Sequence, residues 1–251
     1  MMTSPEANMV EVYAQHITGI IEQIQRTQME QLRSAAKIIT TALADGGILR
    51  TFGAGHSALV ASDLVYRAGG FAPVDLIAEH GLSGLTETRK SEFLERLEGY
   101  SKIVIEYYDI TPPDVLLVVS NSGRNAAPIE MAIEAKKRGI PVIAVTSLAH
   151  SRGTVSRHSS GAKLFEIADI VIDNCCPLGD AVVSIEGMDQ PTGPTSGLAG
   201  FFIVHSIMVQ VAANMLRAGV QPPVFGSGNL DGMTELNGRF VRQYGGRIRA
   251  W

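Results

Sequence analysis

Residues 114–125 read DVLLVVSNSGRN, an apolar run of strand length followed by a turn of small polar residues. Residues 47–57 have the same organisation and read GILRTFGAGHS. A helical pattern follows each turn, so both segments predict a strand, a tight turn and a helix start. The unpaired N–H groups of a first helical turn and the positive end of the helix dipole favour anions. Two such turns on neighbouring strands therefore predict a phosphate site.

Strands and helices alternate through the middle of the chain. Short apolar runs typical of parallel strands covered on both faces lie at 48–52, 74–78, 115–119, 142–145 and 170–172. Helical patterns lie at about 57–68, 91–109, 126–138 and 151–157. The expected fold class is α/β, a doubly wound five-stranded parallel sheet. Its ligand site would lie beyond the carboxyl ends of the strands, where both turns fall.

The chain of 251 residues predicts a single domain in three parts. Residues 1–45 form a helical arm that begins at Ser4, with Pro5 in its first turn. Residues 46–218 contain the sheet and a late apolar helix, and residues 219–251 have no clear pattern and predict an irregular tail.

Two segments late in the chain have several interpretations. Residues 182–185 suit a further short strand. Residues 187–195, GMDQPTGPT, are either a lid that reads the substrate or an ordinary linker. The basic cluster near the carboxyl terminus is interpreted as a solvated tail; it consists of Arg239, Arg242, Arg247 and Arg249.

Composition excludes several classes of protein. A net charge of −4 and a pI of about 5.9 argue against nucleic acid as a partner. Polar residues interrupt the longest apolar stretches and no signal peptide is evident, so we expect a cytoplasmic protein without a membrane partner. The adjacent Cys175 and Cys176 predict reduced thiols, and neither a metal nor a cofactor is expected. The first turn lacks the third glycine of a dinucleotide-binding loop, which favours a monophosphate ligand.

The two turns resemble those of the SIS (sugar isomerase) domain family, over residues 46–218. Residues 120–125 are similar to its Ser-x-Ser-Gly loop, with Asn125 where threonine is usual, and residues 53–57 to its Gly-x-Gly-x-Ser loop. The resemblance implies a flavodoxin-like fold that binds a phosphorylated sugar without a nucleotide. The implied binding residues are Gly53, Gly55, His56, Ser57, Ser120, Asn121, Ser122, Gly123, Asn125, Thr146 and Ser147.

The leading helices and the late helix resemble the phosphoheptose isomerase branch of that family. This resemblance implies an aldose–ketose isomerase that acts on a phosphorylated sugar or amino sugar by an enediol route. Glu79, after the second strand, is the candidate base, and His205 matches a histidine with an acid/base role on that branch's last helix. The branch also has a catalytic glutamate after its first loop, but residues 62–67 read SDLVYR and offer only Asp63.

Two other functions fit the same loops. One is a sensor or binding module that holds a phosphosugar without converting it, and the other is a lyase or etherase that acts on a phosphorylated amino sugar. In each case we expect a homodimer or homotetramer, because the amphipathic arm and the apolar late helix need a covering surface.

Overall fold

A computed structural model describes residues 2–84 and 87–251. Five parallel strands form one sheet in the order β2-β1-β3-β4-β5. They are β1 Leu49–Gly53, β2 Val74–Leu76, β3 Val115–Val119, β4 Val142–Thr146 and β5 Ile170–Asp173. The predicted fold class, α/β with a five-stranded parallel sheet, is confirmed.

Helices cover both faces of this sheet. They are α1 Met9–Thr27, α2 Met29–Ala44, α3 Ser57–Ser62, α4 Thr88–Leu94, α5 Tyr100–Tyr108, α6 Ala126–Lys137, α7 Leu148–Arg152, α8 Leu164–Ile167, α9 Ser196–Arg217 and α10 Met233–Tyr244. One core contains residues of α1, α2, α3 and α9, and the other contains residues of α5, α6 and α8. Two further strands, β6 Ala181–Val183 and β7 Thr192–Pro194, pair antiparallel.

Strand β3 shows how the apolar run fixes the position of the loop that follows it. Val115, Leu117 and Val119 face the core that contains α2 and α9. Leu116 and Val118 face the other core, which contains α5 and α6. Each side chain is buried and contributes about 1.5–3 kcal/mol to folding. A shift by one residue would exchange the two faces, so the strand presents residues 120–125 at a fixed place on the sheet edge.

The N-terminal arm is two helices, and the prediction that it starts at Ser4 was wrong. Helix α1 begins at Met9, because Asn8 is the N-cap and its side chain accepts a hydrogen bond from the Glu11 amide at 3.4 Å. The Ser4 hydroxyl instead accepts from the Glu6 amide at 3.3 Å and stabilises a local turn. Gln28 separates α1 from α2.

Other helix predictions need correction at their ends. The helix expected at 91–109 is two helices, α4 and α5, because Gly99 adopts a φ of +84° between them. Helix α3 ends at Ser62 rather than near residue 68. The helix expected at 151–157 is the short α7, which ends at Arg152, and residues 153–157 belong to the loop before α8. Residues 187–195 include strand β7, and residues 219–251 include helix α10, where an irregular tail was expected.

The carboxyl terminus is held by a buried ionic cluster near the amino ends of β1 and β3. The Arg50 guanidinium contacts the carboxylates of Asp75 and Asp114, and all three side chains are at most 3% exposed. Arg247 donates to Asp114 Oδ1 at 2.6 Å. The interpretation of the late arginines as a solvated tail was therefore wrong for Arg247, because the sequence did not indicate which carboxylate it would meet.

Helix α9 is long and apolar enough, by length and composition alone, to cross a membrane. In the described residues it packs against α1, α2 and α3, and it supplies many of the side chains of one core. Gly200 permits this approach, since a Cβ there would lie 2.9 Å from Val60 of α3. Such burial is typical of a core helix, and the close contact sets the spacing of the two helices beside the candidate site.

Candidate functional site

A cavity of about 390 Å³, which we name the strand-end cavity, lies at the carboxyl edge of the sheet. Its walls come from the loop after β1, the loop after β3, the segment after β5 and the start of α9. The polar residues that line it are His56, Ser57, Asn121, Asn174, Asp180 and Ser196. The cavity therefore forms at the edge of the sheet where the two turns predicted a ligand site.

The first loop depends on its glycines. A Cβ at Gly53 would lie 2.4 Å from the backbone oxygen of Ser57, so only glycine fits there. Gly55 adopts a φ of +58°, which favours glycine as well. This tight turn brings Ser57 to the first position of α3, where its side chain lines the cavity. The Ser57 hydroxyl makes no hydrogen bond to any other described residue, so it is available to a ligand.

The second loop is closed by its own hydrogen bonds. Ser120 Oγ accepts from the Gly123 amide at 3.2 Å, and Gly123 adopts a φ of +57°. Thr146 Oγ1 donates to the Asn121 carbonyl at 3.2 Å. Asn174 Nδ2 donates to Asn121 Oδ1 at 2.9 Å, which orients the Asn121 amide at the wall of the cavity. The Ser122 hydroxyl has no hydrogen-bond partner among the described residues.

Two predicted ligand residues are held by protein groups. Asn125 donates to Glu95 Oε1 at 2.7 Å, and its own Oδ1 accepts from Arg157 at 3.2 Å. Burial raises the pKa of Glu95. Ser147 donates to the Cys176 carbonyl at 2.6 Å and caps α7 by accepting from the His150 amide at 3.0 Å. Neither side chain lines the strand-end cavity, and their role in phosphate binding stays a prediction.

Asp180 and Asn174 are site residues that the sequence did not single out. The Asp180 carboxylate accepts from the amides and hydroxyls of both Thr195 and Ser196, at 2.7–3.0 Å. It therefore joins the strand β6 region to the first turn of α9 and forms part of the cavity wall. The sequence around Asp180 does not predict this contact. The only hint is the Thr-Ser pair at the start of α9, which suggests that the helix start has a capping partner.

Basic groups lie close to this wall. The Arg124 Nε and the His150 Nδ1 are buried without a hydrogen bond among the described residues. Burial lowers the pKa of His150; the positive charge of Arg124 lowers it further, and the Asp180 carboxylate opposes both. His150 is therefore neutral at pH 7, and Arg124 adds positive charge beside the second loop.

Glu79 lies in a separate cavity of about 240 Å³, which Gly53 and His80 also line. Its Oε1 accepts from the Gly81 amide at 3.0 Å. Burial, together with the hydrogen bond to Glu79, raises the pKa of the Tyr100 hydroxyl. The carboxylate is thus oriented by its neighbours, but it is not part of the wall of the strand-end cavity.

His205 pairs with Asp63, which follows the last residue of α3. The His205 Nε2 lies 2.7 Å from Asp63 Oδ2, and Arg67 contacts the same carboxylate. Both side chains of the pair are about one third exposed, at 38% and 34%. A proton on Nε2 would donate to Asp63 and leave the Nδ1 lone pair free to accept a proton. The pair lies outside the cavity, one helical turn beyond Leu59 and Phe201 of its wall.

Comparison with known proteins identifies relatives along almost the whole chain. The sequence model of the SIS domain matches residues 12–147. A UPF0309 protein of Caldanaerobacter subterraneus subsp. tengcongensis is 40% identical over 244 residues, which are 96% of this chain and 99% of that protein.

Solved structures show the same fold at low sequence identity. A phosphoheptose isomerase from Neisseria gonorrhoeae superposes with a TM-score of 0.58 at 16% identity, covering 82% of this chain and 97% of that one. The Vibrio vulnificus NanR protein complexed with ManNAc-6P superposes with a TM-score of 0.55, also at 16% identity, covering 94% of this chain and 70% of that one.

Proposed function

Because the chain belongs to the SIS domain family and is a homologue of the UPF0309 proteins, we propose that it binds a phosphorylated sugar in the strand-end cavity. One observation carries this proposal: Ser57 and Asn121, from two loops distant in sequence, line a single cavity at the carboxyl edge of a parallel sheet. Helix α3 begins at that cavity. Its first residue, Ser57, offers a hydroxyl that makes no hydrogen bond to another described residue, whereas the amides of residues 57–59 already donate to backbone carbonyls of the loop. The structures that share the fold include a phosphoheptose isomerase and a protein complexed with ManNAc-6P, which agrees with such a ligand.

The reaction that we propose is aldose–ketose isomerisation. A base removes the C2 proton of the aldose to form an enediol and returns a proton to C1, while a second group moves a proton between the two oxygens. His205 is a suitable base, because Asp63 orients its imidazole and leaves Nδ1 free. A sugar whose phosphate lies at Ser57 would extend past Phe201 toward this pair. Glu79 stays a second candidate base, since its carboxylate lines the adjoining cavity.

The first experiment is a thermal-shift screen against a panel of sugar phosphates and their unphosphorylated counterparts. We expect stabilisation by phosphorylated compounds alone, and we expect Ser122→Ala and Ser57→Ala to weaken it. Absence of a shift with every phosphate would refute the binding proposal. For each ligand that binds, NMR in D₂O measures exchange of the C2 proton; exchange that His205→Asn abolishes would support isomerisation.

A non-catalytic binding module is the second candidate, and one observation favours it. Among the described residues, neither Glu79 nor His205 belongs to the wall of the strand-end cavity. Tight binding of a sugar phosphate without C2 exchange, and with unchanged affinity in Glu79→Gln, would favour this function over the isomerase. Formation of a smaller product instead of an isomer would favour the lyase.

The homodimer or homotetramer remains a prediction. Helix α9 still exposes several large apolar side chains, namely Leu198, Val209 and Leu216, which are 46–71% exposed. A second copy of the chain would remove this surface from water. Light scattering coupled to gel filtration measures the mass in solution, and a monomer at micromolar concentration would contradict the prediction.

A further inference from the structure

A second cluster of polar side chains lies away from the strand-end cavity. Glu98 precedes α5, Glu130 lies in α6, and His158 lies in the loop between α7 and α8. Each offers one ligand atom, and these atoms all lie within 4.8 Å of one another. The His158 Nε2 is 3.9 Å from Glu98 Oε2 and 3.7 Å from Glu130 Oε1. Both distances are too long for a hydrogen bond.

The two carboxylates lack a basic partner that would balance their charge. Within residues 2–84 and 87–251, no lysine or arginine forms a salt bridge with Glu98 or Glu130. The Ser159 amide donates to Glu98 Oε1 and the Ser159 hydroxyl donates to Glu98 Oε2, both at 2.6 Å. The Glu130 side chain is 12% exposed, and its Oε2 is buried with no hydrogen-bond partner in the described residues. Such a buried oxygen is costly unless another group satisfies it.

His158 is held by Ser160 with its Nε2 toward the two carboxylates. Its side chain is only 10% exposed. Its Nδ1 lies 2.7 Å from Ser160 Oγ and accepts a hydrogen bond from the Ser160 amide at 3.2 Å. In the tautomer that accepts from this amide, the Nε2 proton faces the two carboxylates; a metal ion at Nε2 requires the other tautomer, in which Nδ1 donates to the hydroxyl. Ligating histidines usually donate their second ring N–H to such an outer acceptor, which fixes the tautomer.

We propose that Glu98, Glu130 and His158 bind one divalent transition-metal ion of the Zn²⁺ class, with water completing the coordination. One imidazole nitrogen and two carboxylate oxygens are a donor set that suits this class. The Nε2–oxygen distances of 3.7 and 3.9 Å are less than twice the usual zinc–ligand distance of about 2.0–2.2 Å, so small side-chain rotations bring the ligands onto one ion. The bound ion neutralises the paired carboxylates; the oxygen of Glu130 nearest to His158 is Oε1, which also accepts a hydrogen bond from the Gly99 amide.

The ion has a structural role toward the second loop. Arg157 is the neighbour of His158 in the chain, and its guanidinium donates to Asn125 Oδ1 at 3.2 Å. Its amide donates to the Arg124 carbonyl at 2.7 Å. A metal that fixes His158 to α6 therefore also fixes the residues that close the loop after β3. Metal binding itself does not depend on the proposed sugar-phosphate function, whereas this coupling does.

The test uses the full-length chain without a histidine tag. After incubation with Zn²⁺ and exhaustive dialysis, we expect mass spectrometry to find one zinc per chain. His158→Ala and Glu130→Gln should retain none, and Ser160→Ala should bind about 10-fold more weakly, the usual cost of losing an outer partner. His16→Ala, in an exposed part of α1, is the matched control and should retain zinc. Mg²⁺ at the same concentration should not replace it.

Circular dichroism of each variant shows whether it folds, and Glu98→Gln replaces any variant that does not. Zn²⁺ should raise the melting temperature of the wild-type chain and leave that of His158→Ala unchanged. Co²⁺ should give the visible absorption of a site with nitrogen and oxygen ligands, and this absorption should also be absent from His158→Ala. Failure of the wild-type chain to retain zinc, or equal retention by the folded ligand variants, would overturn the proposal.

Discussion

Replacement of Ser57 by alanine tests the strand-end cavity most directly. Ser57 opens α3 and lines the cavity, and its hydroxyl makes no hydrogen bond to any described residue. The substitution therefore removes no hydrogen bond between described residues, and alanine is a good helix former, so the free energy of unfolding should change by less than about 0.5 kcal/mol. A hydrogen bond to a charged phosphate contributes about 1.5–3 kcal/mol. Loss of this hydrogen bond should raise the dissociation constant roughly 10- to 150-fold.

The assay is calorimetric titration with the sugar phosphate that gives the largest thermal shift, accompanied by its unphosphorylated counterpart. Thr18→Ala is the matched control, because Thr18 lies in α1, lines neither cavity, and donates its hydroxyl to the Ala14 carbonyl at 2.9 Å. We expect Thr18→Ala to keep wild-type affinity and Ser57→Ala to lose the preference for the phosphorylated form. An affinity of Ser57→Ala within about 3-fold of wild type would refute the assignment of this hydroxyl to the phosphate.

Three further predictions concern the fold around the site. Arg50→Met should lower the free energy of unfolding, measured by urea denaturation, by about 3 kcal/mol or more, because it leaves buried carboxylates without a positive partner. The control Arg239→Met, in an exposed ion pair, should change it by less than about 1 kcal/mol. Burial raises the pKa of Cys176 to about 12, above that of an unfolded thiol, so iodoacetamide at pH 8 should label it only after unfolding; rapid labelling of Cys176 itself in the native chain, located by peptide mapping apart from the partly exposed Cys175, would contradict this. Gly123→Ala should weaken ligand binding and lower the free energy of unfolding by about 1–3 kcal/mol, because φ is +57° and the new Cβ would lie 3.2 Å from two side chains. The control Gly139→Ala, where φ is +73° and no atom of a non-adjacent residue lies within 4 Å of the new Cβ, should lower stability without changing the ligand affinity.

The sheet and its loops could be predicted because their signals are local. Strand β3 is an unbroken apolar run, and the Gly-rich turns after β1 and β3 require the backbone conformations that glycine provides. The same local reasoning failed at the start of α1, where two residues with capping side chains, Ser4 and Asn8, compete. The sequence offers no reason to prefer Asn8, since the choice depends on the path that the chain takes before the helix.

The contacts of the candidate site depend on partners that are distant in the chain. Asn125 and Ser147 occupy the positions where ligand residues were expected, yet Glu95 and the Cys176 carbonyl hold their side chains. Asp63 had no evident partner in sequence, because His205 reaches it from a helix that begins more than a hundred residues later. Residue type predicts which groups can bind a ligand, but tertiary packing decides which of them remain free to do so.

Helix α3 relates the two candidate bases, because its different faces line the two cavities. Ala58 and Ser62 face the cavity that contains Glu79, whereas Leu59 and Val60 face the strand-end cavity. A sugar whose phosphate lies at Ser57 can extend along only one of these faces. The two assignments of the base are therefore alternatives for one bound substrate rather than parts of one catalytic pair. If isomerisation occurs, one of the variants Glu79→Gln and His205→Asn should abolish exchange of the C2 proton, and the other should leave it largely intact. Equal loss of exchange in both variants would require the sugar to reach both cavities around α3, and that result would refute this geometry.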